Sequence, residues 1–201
     1  MLKLYYAPRT RAVRVRWLLE ELGLPHELAR VEFRPGGGVF AQATPLGKFP
    51  VLEDDGMVMG ESGAILEYLL ERYDTGHRFA PPVGSPGRGP FLQWLHFGES
   101  TAFPPLGVIV SHTLYRRDAD RVPLAIEAAR TRAEGNFDFV ERHLEGRDYL
   151  LDEGFTAADI VLGFTLAAAR MLGELDGRHP RLGDYLGRLS ARPAFARATA
   201  D

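Results

Sequence analysis

The chain has 201 residues, 45% of them hydrophobic and 25% charged, a composition that suits a folded protein with two small cores and excludes wholesale disorder. Its net charge of −3, from 24 basic and 27 acidic residues, argues against nucleic acid as the main partner. With no cysteine there is no disulfide, thiolate metal site, catalytic cysteine or CxxC redox pair.

Leu2, Leu4 and Tyr6 alternate with Lys3 and Tyr5, the pattern of a short strand. After Pro8 and Thr10, apolar positions Val15, Leu18, Leu19 and Leu22 recur at helical spacing until Gly23 and Pro25 stop the helix. Leu28 to Phe33 reads as a second strand, so the chain opens with a βαβ unit and parallel pairing. Arg34-Pro35-Gly36-Gly37-Gly38 begins an irregular, partly helical connection to about Ala43. Pro50–Glu53 and Met57–Met59 are short strands, and the Asp54-Asp55-Gly56 between them is a hairpin signal. Ser62 precedes a helix that carries Ile65, Leu66, Leu69 and Leu70 and ends near Tyr73. The first domain is therefore α/β, βαβ followed by ββα.

Residues 77–90, rich in Gly and Pro, read as a linker between a domain at 1–76 and an all-helical domain at 91–201. Phe91, Leu92, Leu95 and Phe97 open a long helix interrupted by Pro104-Pro105. Ala133, Phe137, Val140 and Leu144 form a bundle stripe. Thr156-Ala157-Ala158-Asp159 starts a strongly apolar helix to Leu172, with S/T-x-x-D spacing that marks a capping box. Leu182, Tyr185, Leu186 and Leu189 mark another helix, and Pro193 begins the tail. No apolar run approaches the ~20 residues of a membrane helix, and Met1–Tyr6 lacks the apolar core of a signal peptide. A cytoplasmic protein without membrane contact is expected.

Four segments in this order resemble a known family. Leu4–Arg11 running into Arg16–Pro25 is similar to the first strand and helix of bacterial cytosolic glutathione transferases. Pro45–Leu52 resembles the family's approach to its third strand, Glu61-Ser62-Gly63-Ala64-Ile65 its glutathione-recognition turn, and Thr156–Asp159 the cap of its central helix. The resemblance implies a thioredoxin-like domain plus an all-α domain, a homodimer, and glutathione as co-substrate with no further cofactor. It also implies a cis bond between Phe49 and Pro50, leaving the Phe49 backbone to pair with a peptide ligand. Ser62 at a helix start suits a carboxylate but equally an ordinary N-cap. Glu61 is placed to hold the γ-glutamyl amino group and Lys48 the glycine carboxylate.

Such an enzyme ionises the glutathione thiol, whose ordinary pKa is about 8.5. A hydrogen bond to the charged sulfur contributes roughly 1.5–3 kcal/mol, or about one to two pKa units. Thr10, in the turn before the first helix, is the preferred donor and Tyr5 the alternative; Arg11 adds favourable charge. Arg9 stands where some serine-type relatives carry their hydroxyl. Phe103 is a candidate wall for a small hydrophobic electrophile. A non-catalytic glutathione-transferase-like binding module is the competing reading, since a fold does not fix function. The six histidines show no ligand spacing, so no metal is expected. The cluster Arg9, Arg11, Arg14 and Arg16 and the pair Glu20-Glu21 read as solvated helix faces.

Overall fold

The computed structural model describes residues 1–31 and 47–200. The chain divides into two compact units, Met1–Ala80 together with Ser190–Asp201, and Pro81–Leu189.

In the first unit, β1 (Leu2–Tyr6) alternates buried and half-buried positions, as a strand's period of two requires. Helix α1 (Ala12–Leu22) ends at Gly23, which adopts φ 69°, and the Leu24 N–H reaches back to the Leu19 carbonyl at 3.1 Å. This is a Schellman closure. Strand β2 (His26–Arg30) pairs in parallel with β1 from Leu2 opposite His26 onward. It starts earlier than the expected Leu28 because pairing begins as soon as Pro25 has been passed. Its apolar pattern is weak because it is an edge strand, with Leu28 exposed. Residues 32 and 33 of that expectation, and the connection through Ala43, lie outside the described residues.

Strands β3 (Val51–Asp54) and β4 (Met57–Met59) form the expected hairpin. Asp55 and Gly56 both have positive φ, 49° and 89°, the requirement of a type I′ turn. The sheet runs β2-β1-β3-β4, antiparallel at β1/β3 and β3/β4. Helix α2 (Ser62–Tyr73) buries Ile65, Leu66, Leu69 and Leu70 and packs on α1. The unit is thioredoxin-like.

The second unit is helical: α3 (Arg88–Phe97), α4 (Phe103–Val110), α5 (Pro123–His143), α6 (Ala157–Met171) and α7 (Pro180–Ser190). The interruption expected at Pro104-Pro105 takes the form of a widened π turn, Gly98–Ala102, between α3 and α4. Proline has no N–H to return to the carbonyl four residues back. Pro105 therefore leaves the Thr101 carbonyl open, and the Asn136 side chain donates to it at 3.0 Å. Thr156 and Asp159 form the expected capping box at the start of α6. Asp159 also accepts from the Leu150 N–H at 3.0 Å and the Tyr185 hydroxyl at 2.8 Å. Burial pushes its carboxyl up in pKa, against these hydrogen bonds, which pull it down.

The tail departs from the expected 91–201 domain. It forms helix α8 (Pro193–Thr199), which packs on α1 in the first unit. Phe195 meets the Trp17 ring edge-on at 4.8 Å. Arg192 clamps Glu21 at 2.6 and 2.9 Å, and Arg197 reaches Glu20 at 2.5 Å. The Glu20-Glu21 pair is thus an anchor and not a solvated face.

Asp54, at the end of β3, ties the hairpin to α2. It is 3% exposed and accepts from the hydroxyls of Tyr68 at 2.8 Å and Tyr73 at 2.6 Å. Burial pushes its carboxyl up, but the two phenols and the Arg72 guanidinium outweigh that and hold it below its ordinary value. A carboxyl so depressed adds stability above the ordinary carboxylate range, and that stability is lost as pH falls through the folded pKa. Tyr73→Phe should cost about 1 kcal/mol at neutral pH, and the loss should shrink in acid as Asp54 protonates. Urea unfolding of both proteins at pH 7 and in acid checks this; a pH-independent loss would assign Tyr73 a packing role only.

Candidate functional site

Strand register gathers most of the sequence-predicted residues at one end of the sheet. In the β1/β3 ladder Tyr5 stands opposite Val51, and in β3/β4 Leu52 stands opposite Met59. Extending both ladders brings the exit of β1, the Phe49-Pro50 step and the Gly60-Glu61 exit of β4 to the same edge. A Cβ on Gly60 would lie 3.9 Å from the Pro50 carbonyl oxygen, so the two segments are neighbours. The Phe49–Pro50 bond is cis. Phe49 and Pro50 are buried and Lys48 is exposed.

Ser62 is the first residue of α2, and Glu61 holds the N-cap position without a side-chain cap bond. The ordinary N-cap reading of Ser62 therefore fails. Its hydroxyl, in a side chain only 4% exposed, accepts instead from Arg14 Nη1 at 3.4 Å. Glu61 is exposed and sits at φ 65°, ψ 107°, a conformation that an L side chain rarely adopts. Strain of this kind costs about 1–3 kcal/mol and gathers at ligand-binding turns. Arg9 shows the same feature at φ 60° in the turn after β1.

Thr10 lies just before α1. Its hydroxyl donates to the Ala7 carbonyl at 2.7 Å and accepts from the Ala12 N–H at 3.3 Å, so the oxygen sits at the positive end of the helix. Arg11 follows at the N-cap. Tyr5 is placed differently. It shares its sheet face with Lys3 and Glu53 by the period of two, and its hydroxyl donates to Glu53 at 3.2 Å. Lys3 covers its ring at 5.5 Å and pairs with Glu27 at 2.9 Å. Phe103 belongs to the second unit, half-buried at the start of α4, with its ring stacked on Phe164 at 6.0 Å.

Arg14 is the residue that the sequence reading missed. It is fully buried, not part of a solvated basic face. Helical spacing held the signal, since Arg14 stands four residues before Leu18 and so on the apolar stripe. Arg16 is also engaged, stacked over the Tyr6 ring at 5.1 Å and donating to the Ala200 carbonyl at 2.7 Å.

Among the described residues, Glu134, Asp138 and His179 bring two carboxylates and an imidazole within 4.8 Å of one another. Arg178 already holds both Glu134 oxygens at 2.6 and 2.9 Å, and His179 meets Asp138 at 3.0 Å. The cluster joins α5 to the start of α7 as an ion-pair network. No helix among the described residues is long and apolar enough to cross a membrane.

Comparison with known proteins identifies the family to which both units are similar. The family model for the glutathione S-transferase N-terminal domain matches residues 4–82, and the one for the C-terminal domain matches residues 123–188. Glutathione S-transferase 3 of Schizosaccharomyces pombe is 31% identical over 85% of this chain and 75% of its own length. The disulfide-bond oxidoreductase YfcG of Escherichia coli is 28% identical over 98% and 94%. A solved glutathione transferase homologue from Lodderomyces elongisporus, holding two glutathione molecules per subunit, superimposes with TM-score 0.88 at 26% identity, covering 98% of this chain and 97% of that one.

The strain at Glu61 has a measurable consequence. Glu61→Gly relieves the positive φ at some cost in unfolded-chain entropy, and should raise stability by about 1 kcal/mol. A shift of the urea midpoint to higher concentration checks it. A downward shift would mean that the Glu61 side chain contributes to the fold itself.

Proposed function

The chain belongs to the glutathione S-transferase family, and we propose that it binds glutathione at this sheet edge and passes the bound thiolate to a small hydrophobic electrophile. The observation that carries the reading is Ser62. A buried hydroxyl in the first turn of α2 joins free backbone N–H groups that favour a carboxylate. In this reading Ser62 takes the γ-glutamyl carboxylate, Glu61 the amino group beside it, the Phe49 backbone the cysteinyl peptide unit, and Lys48 the glycine carboxylate. Glutathione is then the co-substrate and no other cofactor takes part.

Thr10 supplies the hydrogen bond to the thiolate by turning its proton from the Ala7 carbonyl onto the sulfur, and Arg11 adds positive charge. The turn gives up a neutral hydrogen bond of about 0.5–1.5 kcal/mol for a charge-assisted one of about 1.5–3 kcal/mol. The net gain is about 1 kcal/mol, or close to one pKa unit. The Tyr5 hydroxyl is held by Glu53 and plays no part in this reading.

A second reading is favoured by the similarity to YfcG: glutathione-dependent reduction of a disulfide. Because the chain has no cysteine, both thiols would come from glutathione. Two glutathiones and one disulfide would yield oxidised glutathione and two thiols. The Lodderomyces homologue holds two glutathione molecules per subunit, which is the stoichiometry such an exchange needs. The products separate the readings: a thioether from an aryl halide supports conjugation, and oxidised glutathione from a small disulfide supports exchange. Saturable glutathione binding without either product would leave a binding module.

The thiolate assignment is checked by ultraviolet titration of bound glutathione. Its midpoint should lie below that of free glutathione, and Thr10→Val should raise it by about one unit. Tyr5→Phe should leave it unchanged. The reverse result would give the role to Tyr5, and no movement in either variant would give it to backbone N–H groups or Arg11. Family membership also supports a homodimer, so sedimentation equilibrium should return about twice the 22.3 kDa chain mass. A monomer alone at micromolar concentration would remove that element of the reading.

A further inference from the structure

We propose that Arg14 is a positioning residue that turns the Ser62 hydroxyl into a dedicated donor and so makes the γ-glutamyl end of the site selective for a carboxylate. The proposal rests on the glutathione reading above and extends it to a residue that makes no contact with the ligand.

Arg14 has no exposed surface and stands on the apolar stripe of α1. A buried guanidinium costs several kcal/mol of desolvation, and an apolar side chain of similar volume would fill the place more cheaply. Its Nη1 lies 3.4 Å from Ser62 Oγ, across the packed faces of α1 and α2. A guanidinium can only donate, whereas a serine hydroxyl has one proton and two lone pairs. Ser62 Oγ is therefore the acceptor in this contact, and its single proton is turned away from Arg14. It is left to donate beside the N–H groups of the first turn of α2. A carboxylate is an acceptor only and matches that donor. Without Arg14 the hydroxyl could rotate and accept as readily as donate, and the preference for a charged acceptor would fall. Donation from the cation also polarises Ser62 Oγ–H and strengthens its outward bond. Thr10 stands one helical turn before Arg14, roughly 6 Å along the axis, so α1 serves the carboxylate end and the thiol end of one ligand.

The test uses two ligands, glutathione and 4-aminobutanoyl-cysteinyl-glycine, which is glutathione without the γ-glutamyl α-carboxylate. Calorimetric titration of the wild type should favour glutathione by about tenfold or more, the worth of a charge-assisted hydrogen bond. Arg14→Met should lower that ratio severalfold, toward what the first-turn N–H groups supply by themselves, while holding affinity for the analogue within about twofold. Arg14→Lys, which keeps a donor, should restore part of the preference. In a Ser62→Ala background, Arg14→Met should change the ratio no further, because the two residues act through one bond. Thermal melts monitored by circular dichroism establish that each variant is folded. An undiminished ratio in Arg14→Met overturns the proposal, as does an equal weakening of both ligands, which would make Arg14 a packing residue. Absence of saturable glutathione binding in the wild type would instead overturn the functional reading on which the proposal rests.

Discussion

Helix α1 is packed against β1, α2 and α8, and the rest of the first unit follows from how that crowding is satisfied. Val15, Trp17, Leu18 and Leu19 have no exposed surface. Four charged side chains share the helix with them, and each has a set partner. Arg14 meets Ser62, Arg16 meets Tyr6 and Ala200, Glu20 meets Arg197, and Glu21 meets Arg192 and Trp17 Nε1. A buried or half-buried charge without a partner is costly. The tail helix α8 is thus part of the first unit for an electrostatic reason as well as through the Trp17–Phe195 contact. The charge pairs fasten α8 to α1, while Arg14 and Arg16 tie α1 to Ser62 of α2 and to Tyr6 of β1.

The sheet supplies the second constraint. Because β3 is antiparallel to both β1 and β4, the chain leaves β1, enters β3 and leaves β4 at a single edge. Three short segments far apart in sequence are gathered there by register alone. Two of them carry a non-glycine residue at positive φ, Arg9 and Glu61. Such strain persists only where surrounding structure over-determines it. The β1–α1 packing and the β4–α2 connection do that here, and the Asp54 bonds to Tyr68 and Tyr73 hold α2 against the hairpin.

Much of this was legible in the sequence, and the divide between what was and was not is one of range. Asp55-Gly56, Gly23 and the Thr156/Asp159 cap act over two to five residues, so local chemistry identified them. The period of two located β1, the apolar runs on either side of Asp55-Gly56 located β3 and β4, and helical spacing located α1, α2 and the stripe of α5. The start of edge strand β2 was read two residues late because the strand has no buried face to impose a pattern. Glu20, Glu21 and Arg14 were misread because Arg197, Arg192 and Ser62, which engage them, lie 177, 171 and 48 residues away. No local pattern encodes such a pairing. The π turn before α4 was half legible: the two prolines announced a break, but the side chain that repairs it is Asn136, thirty-five residues on. Thr10 and Tyr5 were both reasonable hydroxyls by position. Their partners differ in range: Thr10 donates to Ala7, three residues back, while Tyr5 donates to Glu53, which strand register brings beside it.

Thr10 and Ser62 are prepared in opposite ways, and the difference bears on how binding relates to chemistry. Ser62 accepts from Arg14, which in the proposed reading leaves its proton to the ligand. Thr10 has its proton placed on the Ala7 carbonyl and must give up that bond before it can serve a sulfur. In the proposed reading, the carboxylate end of glutathione is therefore recognised by a group already set, while thiolate stabilisation requires a switch that only the charged sulfur rewards. A neutral thiol gains little from turning Thr10, because one ordinary hydrogen bond would replace another. The turn favours the ionised form selectively, and selectivity for the reactive state is what separates catalysis from uniform binding. The two functions then rest on different residues. A change confined to the Thr10 turn would lower ionisation about tenfold while leaving glutathione recognition at Ser62 intact, so within this fold a change at one side chain moves an enzyme toward a binding module.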